Sequence, residues 1–112
     1  MNRRLCPDFS TARLEPYELP NTEIRSGTPQ ASALELDRLG PTAIGLWELT
    51  EGTVVDTEVD EVFVVLSGAG WITWEDGDSM ELGPGVIVRL RAGERTTWTI
   101  RATLRKVYIA LD

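Results

Sequence analysis

The sequence contains no histidine, a single cysteine and a single lysine, and each shortage excludes a class of function. Histidine is the commonest general base near neutral pH and the commonest metal ligand. Without it a Ser-His-Asp triad, a cysteine–histidine pair and a histidine zinc site are impossible. With Cys6 as the sole thiol, a thiolate zinc site and an intrachain disulfide framework are impossible too. Cys6 stands in a proline-containing arm with nothing to activate it and reads as an incidental free thiol. No apolar run approaches the ~20 residues that span a bilayer. The two arginines of Met1-Asn2-Arg3-Arg4 are followed by no apolar segment, so no secretory signal is read there and the expected setting is cytoplasmic, without a membrane partner. Positive charge is also scarce. The net charge of −7 and pI of about 4.6 argue against a nucleic-acid partner, which needs a positive face. Arg89, Arg91, Arg95, Arg101, Arg105 and Lys106 are a local exception, read as strand-end charges pairing with acidic neighbours.

What is present describes one all-β domain. The 112 residues are enough for one hydrophobic core, and 42% hydrophobic with 26% charged content is that of a globular chain. Residues 1–30 hold Pro7, Pro16, Pro20 and Pro29, which leave little room for regular structure. They are expected to form an extended arm with a short strand near Leu14 to Leu19, lying over the domain or reaching a second subunit. The barrel domain is expected over 31–112. Within it, apolar alternation and turn residues mark strands at Ala33–Asp37, Ala43–Leu49, Thr53–Val59, Ser79–Leu82, Val86–Leu90, Arg95–Ile100 and Thr103–Leu111. The stretch Asp60 to Trp74 organises the rest and reads as two strands joined by a glycine turn at Gly68-Ala69-Gly70. Asp76-Gly77 predicts a two-residue hairpin with a type I′ turn. No helical period is evident.

Period-two alternation puts Glu61, Phe63 and Val65 on one face and Val62, Val64 and Leu66 on the other. Both faces are apolar, so the second one predicts a cover, and a homodimer is the expected partner. Trp47, Trp74 and Trp98 are read first as core anchors and second as ligand contacts.

Between Gly45 and Ile109 the chain resembles a cupin, a small jelly-roll (double-stranded β-helix) barrel. Glu61 and Gly68 fit the glutamate-to-glycine spacing of the first cupin signature. Gly85 and Gly93 fit the second, with Arg91 at its proline and Thr96 at its histidine. More narrowly, Gly45-Leu46-Trp47-Glu48, Asp60-Glu61-Val62-Phe63, Leu82-Gly83-Pro84-Gly85, Thr97-Trp98 and Leu104 to Tyr108 resemble the ureidoglycine aminohydrolase-like branch. The metal-ligand positions of such barrels read Val55, Thr57, Glu61 and Thr96 here, or Val54 and Asp56 at the longer spacing. Only Glu61 is a competent ligand, so neither metal nor cofactor is expected.

The resemblance turns Glu61 into the barrel. Lys106 and Tyr108 share a face of the last strand, and one cavity is expected to gather Glu61, Lys106 and Tyr108 as proton-transfer groups with Trp47, Thr57, Phe63, Thr96 and Trp98 as ligand contacts. The alternative for Glu61 and Lys106 is a purely structural ion pair at the barrel rim. The acidic run Asp56, Glu58, Asp60 and the hairpin acids Asp76, Asp78 and Glu81 lack a calcium-loop pattern and read as solvated. The function expected is binding of a small polar metabolite. The other readings are an aminohydrolase or isomerase that uses Glu61 for proton transfer, and a dimeric scaffold with a filled barrel.

Overall fold

The structure is a computed structural model that describes residues 3–111. Nine strands run β1 (Glu15–Tyr17), β2 (Ile24–Ser26), β3 (Ala31–Leu39), β4 (Thr42–Leu49), β5 (Gly52–Thr57), β6 (Glu61–Trp74), β7 (Ser79–Leu82), β8 (Ile87–Leu90) and β9 (Arg95–Leu111). The one helical feature among the described residues is a 3-10 turn at Asn21–Glu23. None of them forms a helix long and apolar enough to cross a membrane.

All pairings are antiparallel and centre on β9, which lies between β6 on one side and β4 and β5 on the other. From β4 the sheet continues to β3 and β1, and from β5 to β2, while β7 and β8 pair with opposite ends of β6. A flat sheet of this register would place Phe63 far from Trp98. Trp98 is opposite Ile72, nine residues beyond Phe63, which is roughly 30 Å of extended strand. Their ring centroids are nevertheless 5.4 Å apart. The sheet therefore folds back on itself, and Phe63, Val65, Ile72, Leu82, Trp98 and Leu104 meet inside as a core. This is the jelly-roll barrel.

The fold-back explains two departures from the sequence reading. The stretch read as two strands joined by a turn is one bent strand, Glu61–Trp74, with register shifts between Val65 and Gly70. Gly68 has φ +99°, and a Cβ there would be 2.3 Å from the Thr103 carbonyl oxygen, so the glycine sits within the bend instead of ending the strand. Likewise Arg95 to Leu111 is a single strand. The hairpin at Asp76-Gly77 exists, but its turn is of another type. Gly77 alone has positive φ, +93°, and the Trp74 N–H donates to the Asp78 carbonyl, which closes a three-residue loop of the type I-plus-glycine-bulge kind.

The proline-rich arm joins the sheet at both ends, through β1 on β3 and β2 on β5. Arg105 fastens its earlier part: the guanidinium donates to the Phe9 and Ala12 carbonyls at 2.5 and 3.0 Å and pairs with Glu48 at 2.9 Å. Of the other basic residues in the cluster, Arg89 pairs with Asp60 at 3.1 Å and Arg95 donates to the Thr57 hydroxyl at 2.9 Å.

Candidate functional site

The two ends of the barrel are filled differently. Where β6 and β9 continue past the bend, Ile72, Leu82, Ile100 and Leu104 close the interior. At the other end the inner positions of β3, β4 and β9 carry Ala33, Ala43, Gly45 and Ala110, which are too small to meet across it. A cavity of about 290 Å³ remains. Gly45 makes room in a specific way: a Cβ on it would be 2.3 Å from the Tyr108 hydroxyl oxygen, which lies directly across the β4–β9 pair.

The inner face of β9 brings Lys106 to the head of this cavity, opposite Trp47 on β4 and Val65 on β6. Its Nζ donates to Glu61 Oε2 at 2.6 Å, with the two side chains only 6% and 10% exposed. The ammonium also lies over three aromatic rings, 4.4 Å from the Phe63 centroid, 4.5 Å from Trp47 and 4.8 Å from Trp98. One carboxylate and three π-faces thus hold the chain's sole lysine within the barrel.

A second carboxylate lies beside this pair. Glu58 follows β5 in the loop to β6, where its N–H donates to the Glu94 carbonyl and its own carbonyl accepts from Gly93. That backbone pair turns the side chain inward, leaving the residue 7% exposed. Oε2 accepts from the Thr96 hydroxyl at 2.5 Å and from the Trp98 indole N–H at 3.1 Å. Burial pushes the Glu58 carboxyl above its usual pKa, and the Thr96 hydrogen bond only partly offsets this. Asp56, on the inner face of β5 opposite Thr96, is raised for the same reason, with the negative charge of Glu23 adding to it. Tyr17 completes the wall from the arm, its hydroxyl accepting from the Trp47 indole N–H at 2.8 Å. Burial raises the Tyr17 phenol as well.

Of the residues expected at the site, Glu61, Lys106, Tyr108, Trp47 and Trp98 line the cavity. Phe63 lies under the Lys106 ammonium, and Thr96 is buried behind Glu58 as its hydrogen-bond donor. Thr57 is not brought in: it is exposed and takes a hydrogen bond from Arg95, because its parity on β5 is opposite to that of Asp56. The solvated reading of the acidic run holds for Asp60, whose half-exposed side chain is bonded to Arg89 and the Ala92 N–H. It fails for Glu58 and for the partly buried Asp56. Parity with the apolar Val54 was the one signal that could have placed Asp56 inside. Nothing local marks Tyr17 or Glu58.

The sequence pattern of the EutQ-like cupin domain matches residues 36–108. The chain belongs to this family. No curated protein matches its sequence significantly. Among solved structures, this cupin domain is similar to the EutQ protein of Clostridium difficile, at 18% identity and TM-score 0.65 over 85% of this chain and 80% of that one. It is also similar to a protein of unknown function from Pseudomonas syringae, at 25% identity and TM-score 0.76, covering 88% of this chain and 44% of that one. Ectoine synthase from P. lautus is a further neighbour, at 19% identity and TM-score 0.63 over 80% and 67% of the two chains. Likeness at such identities concerns the fold.

The metal that cupin barrels commonly hold has no fitting donor set here. Among the described residues no three histidine, cysteine, aspartate or glutamate side chains are grouped to hold an ion. Glu61, the retained ligand position, has its Oε2 bonded to the Lys106 ammonium.

Proposed function

We propose that this cupin domain binds a small polar metabolite in the open end of its barrel. The observation that carries this reading is a buried ammonium–carboxylate pair exposed to a cavity of about 290 Å³ rather than packed over. Cavities near this size, with aromatic walls and few converging polar groups, suit small ligands. Trp47, Trp98, Tyr17 and Tyr108 supply the walls, while Glu58 and the Glu61–Lys106 pair supply orientation. The open cavity argues against a filled, vestigial barrel. An aminohydrolase or isomerase of the ureidoglycine kind, with Glu61 as base, has less support, because Glu61 Oε2 is already engaged by the Lys106 ammonium at 2.6 Å.

A thermal-shift screen of ureides, keto acids, sugars, amino compounds and nucleotides tests the proposal. A ligand at about 100 times its dissociation constant adds roughly 2.7 kcal/mol, a rise of several degrees for a domain of this size. The rise should be lost in Glu61→Gln. A hit that persists unchanged in Glu61→Gln and in a cavity-filling Ala43→Phe would place the ligand elsewhere and overturn the proposal.

We also propose that a second copy covers the outer face of β6, β8 and β9. Val62 and Ile109 are cross-strand neighbours there, and Ile87 pairs with Val64. All three of Val62, Ile87 and Ile109 are exposed, at 37%, 66% and 44%. Sedimentation should give a dimer that Ile109→Lys dissociates. A monomer at all concentrations would refute it.

A further inference from the structure

We infer that the metabolite carries an ammonium group, held by Asp56 and Glu58. This rests on the proposed binding role of the barrel and narrows its ligand class. The charges of the cavity wall do not balance. Four carboxylates line it, Glu35, Asp56, Glu58 and Glu61, against one cation, Lys106. Glu35 is neutralised at the rim by Arg38 and Glu61 by Lys106, at 3.1 and 2.6 Å. Among the described residues, Asp56 and Glu58 have no ion-pair partner.

Glu58 is the more telling of the two. It is more than nine-tenths buried, yet both of its hydrogen bonds, from Thr96 and Trp98, fall on Oε2. Oε1 receives none among the described residues, and no buried side-chain oxygen is both enclosed and unpartnered, so Oε1 is open to the cavity. A carboxylate oxygen that is open to the cavity and takes no protein donor is free to accept one from a ligand. A carboxylate or phosphate ligand would deepen the imbalance. A divalent ion lacks a third donor. An organic ammonium supplies both the positive charge and the N–H donors that two unpaired carboxylates can take.

Matched amino alcohols, diols and hydroxy acids of three to five carbons separate these possibilities, because they differ chiefly in charge. Binding is read from the indole N–H resonances of Trp47 and Trp98 and from calorimetry. The amino alcohols should bind about tenfold or more tightly than the diols, and the hydroxy acids most weakly. Asp56→Asn and Glu58→Gln should each remove about tenfold of that preference, with the same spectra reporting that each variant is folded. Asp56 is only partly buried, so its variant remains a test even where Glu58→Gln disturbs packing. Diols or hydroxy acids binding as tightly as amino alcohols would overturn the ammonium assignment and leave barrel binding standing. Equal preference for the amine in both variants would overturn it too. Failure of all three classes to shift either indole would count against both readings.

Discussion

Replacing Lys106 by methionine is the sharpest perturbation of this barrel. Methionine keeps most of the side chain's volume and removes the charge. Glu61, whose side chain is 10% exposed, would then be a buried carboxylate with no counter-ion, and three aromatic faces would lose their cation. Removing one partner of a buried pair costs about 3–5 kcal/mol, mostly the penalty of the charge left behind. At about 4 °C per kcal/mol for a chain of this length, the melting temperature should fall by about 12–20 °C at neutral pH. The double variant Lys106→Met/Glu61→Gln leaves no orphaned charge and should recover most of the loss, since removing both members of such a pair is often near neutral. Urea denaturation of the four proteins closes the cycle and yields the coupling directly. A single variant as stable as the parent at pH 7, or a double variant no better than the single, would mean that the ammonium contributes nothing inside the barrel.

Three further outcomes follow from the same geometry. Asp56 and Glu58 have carboxyl pKa values raised by burial, so the folded state holds their protons more tightly than the unfolded chain does. Their contribution to stability is therefore present below the ordinary carboxylate range and lost as pH rises through the raised values. Denaturation midpoints of Glu58→Gln should show less of this fall than the parent, and an identical pH profile would refute it. Gly45→Ala should cost about 1–3 kcal/mol in chemical denaturation, because the new Cβ meets the Leu34 backbone oxygen at 2.6 Å as well as the Tyr108 hydroxyl. An unchanged midpoint would show that the β3–β4–β9 spacing is looser than described. Tyr17→Phe removes the acceptor of the Trp47 indole N–H and should cost about 1 kcal/mol while shifting that indole resonance. An unmoved resonance would place the arm away from the cavity.

Local pattern was enough for the strand content, for putting Glu61 on one face with Phe63 and Val65, and for the idea that Lys106 and Tyr108 look the same way. Those inferences need only the period of two and the chemistry of turns. The loss of cupin metal ligands was equally plain, since no arrangement of space can supply a histidine the chain does not have. Where elements bend was not legible. Gly68 in a strand and glycine in a turn look alike in sequence, and only the carbonyl of Thr103, 35 residues away, tells them apart. The same holds for the acids. Asp56, Glu58 and Asp60 form one polar run, yet Asp60 meets Arg89 in solvent while Glu58 is drawn in by Gly93, Glu94, Thr96 and Trp98. Alternation assigns a residue to a face. Closure of the sheet decides which face is inside and what stands opposite, through contacts between segments distant in the chain.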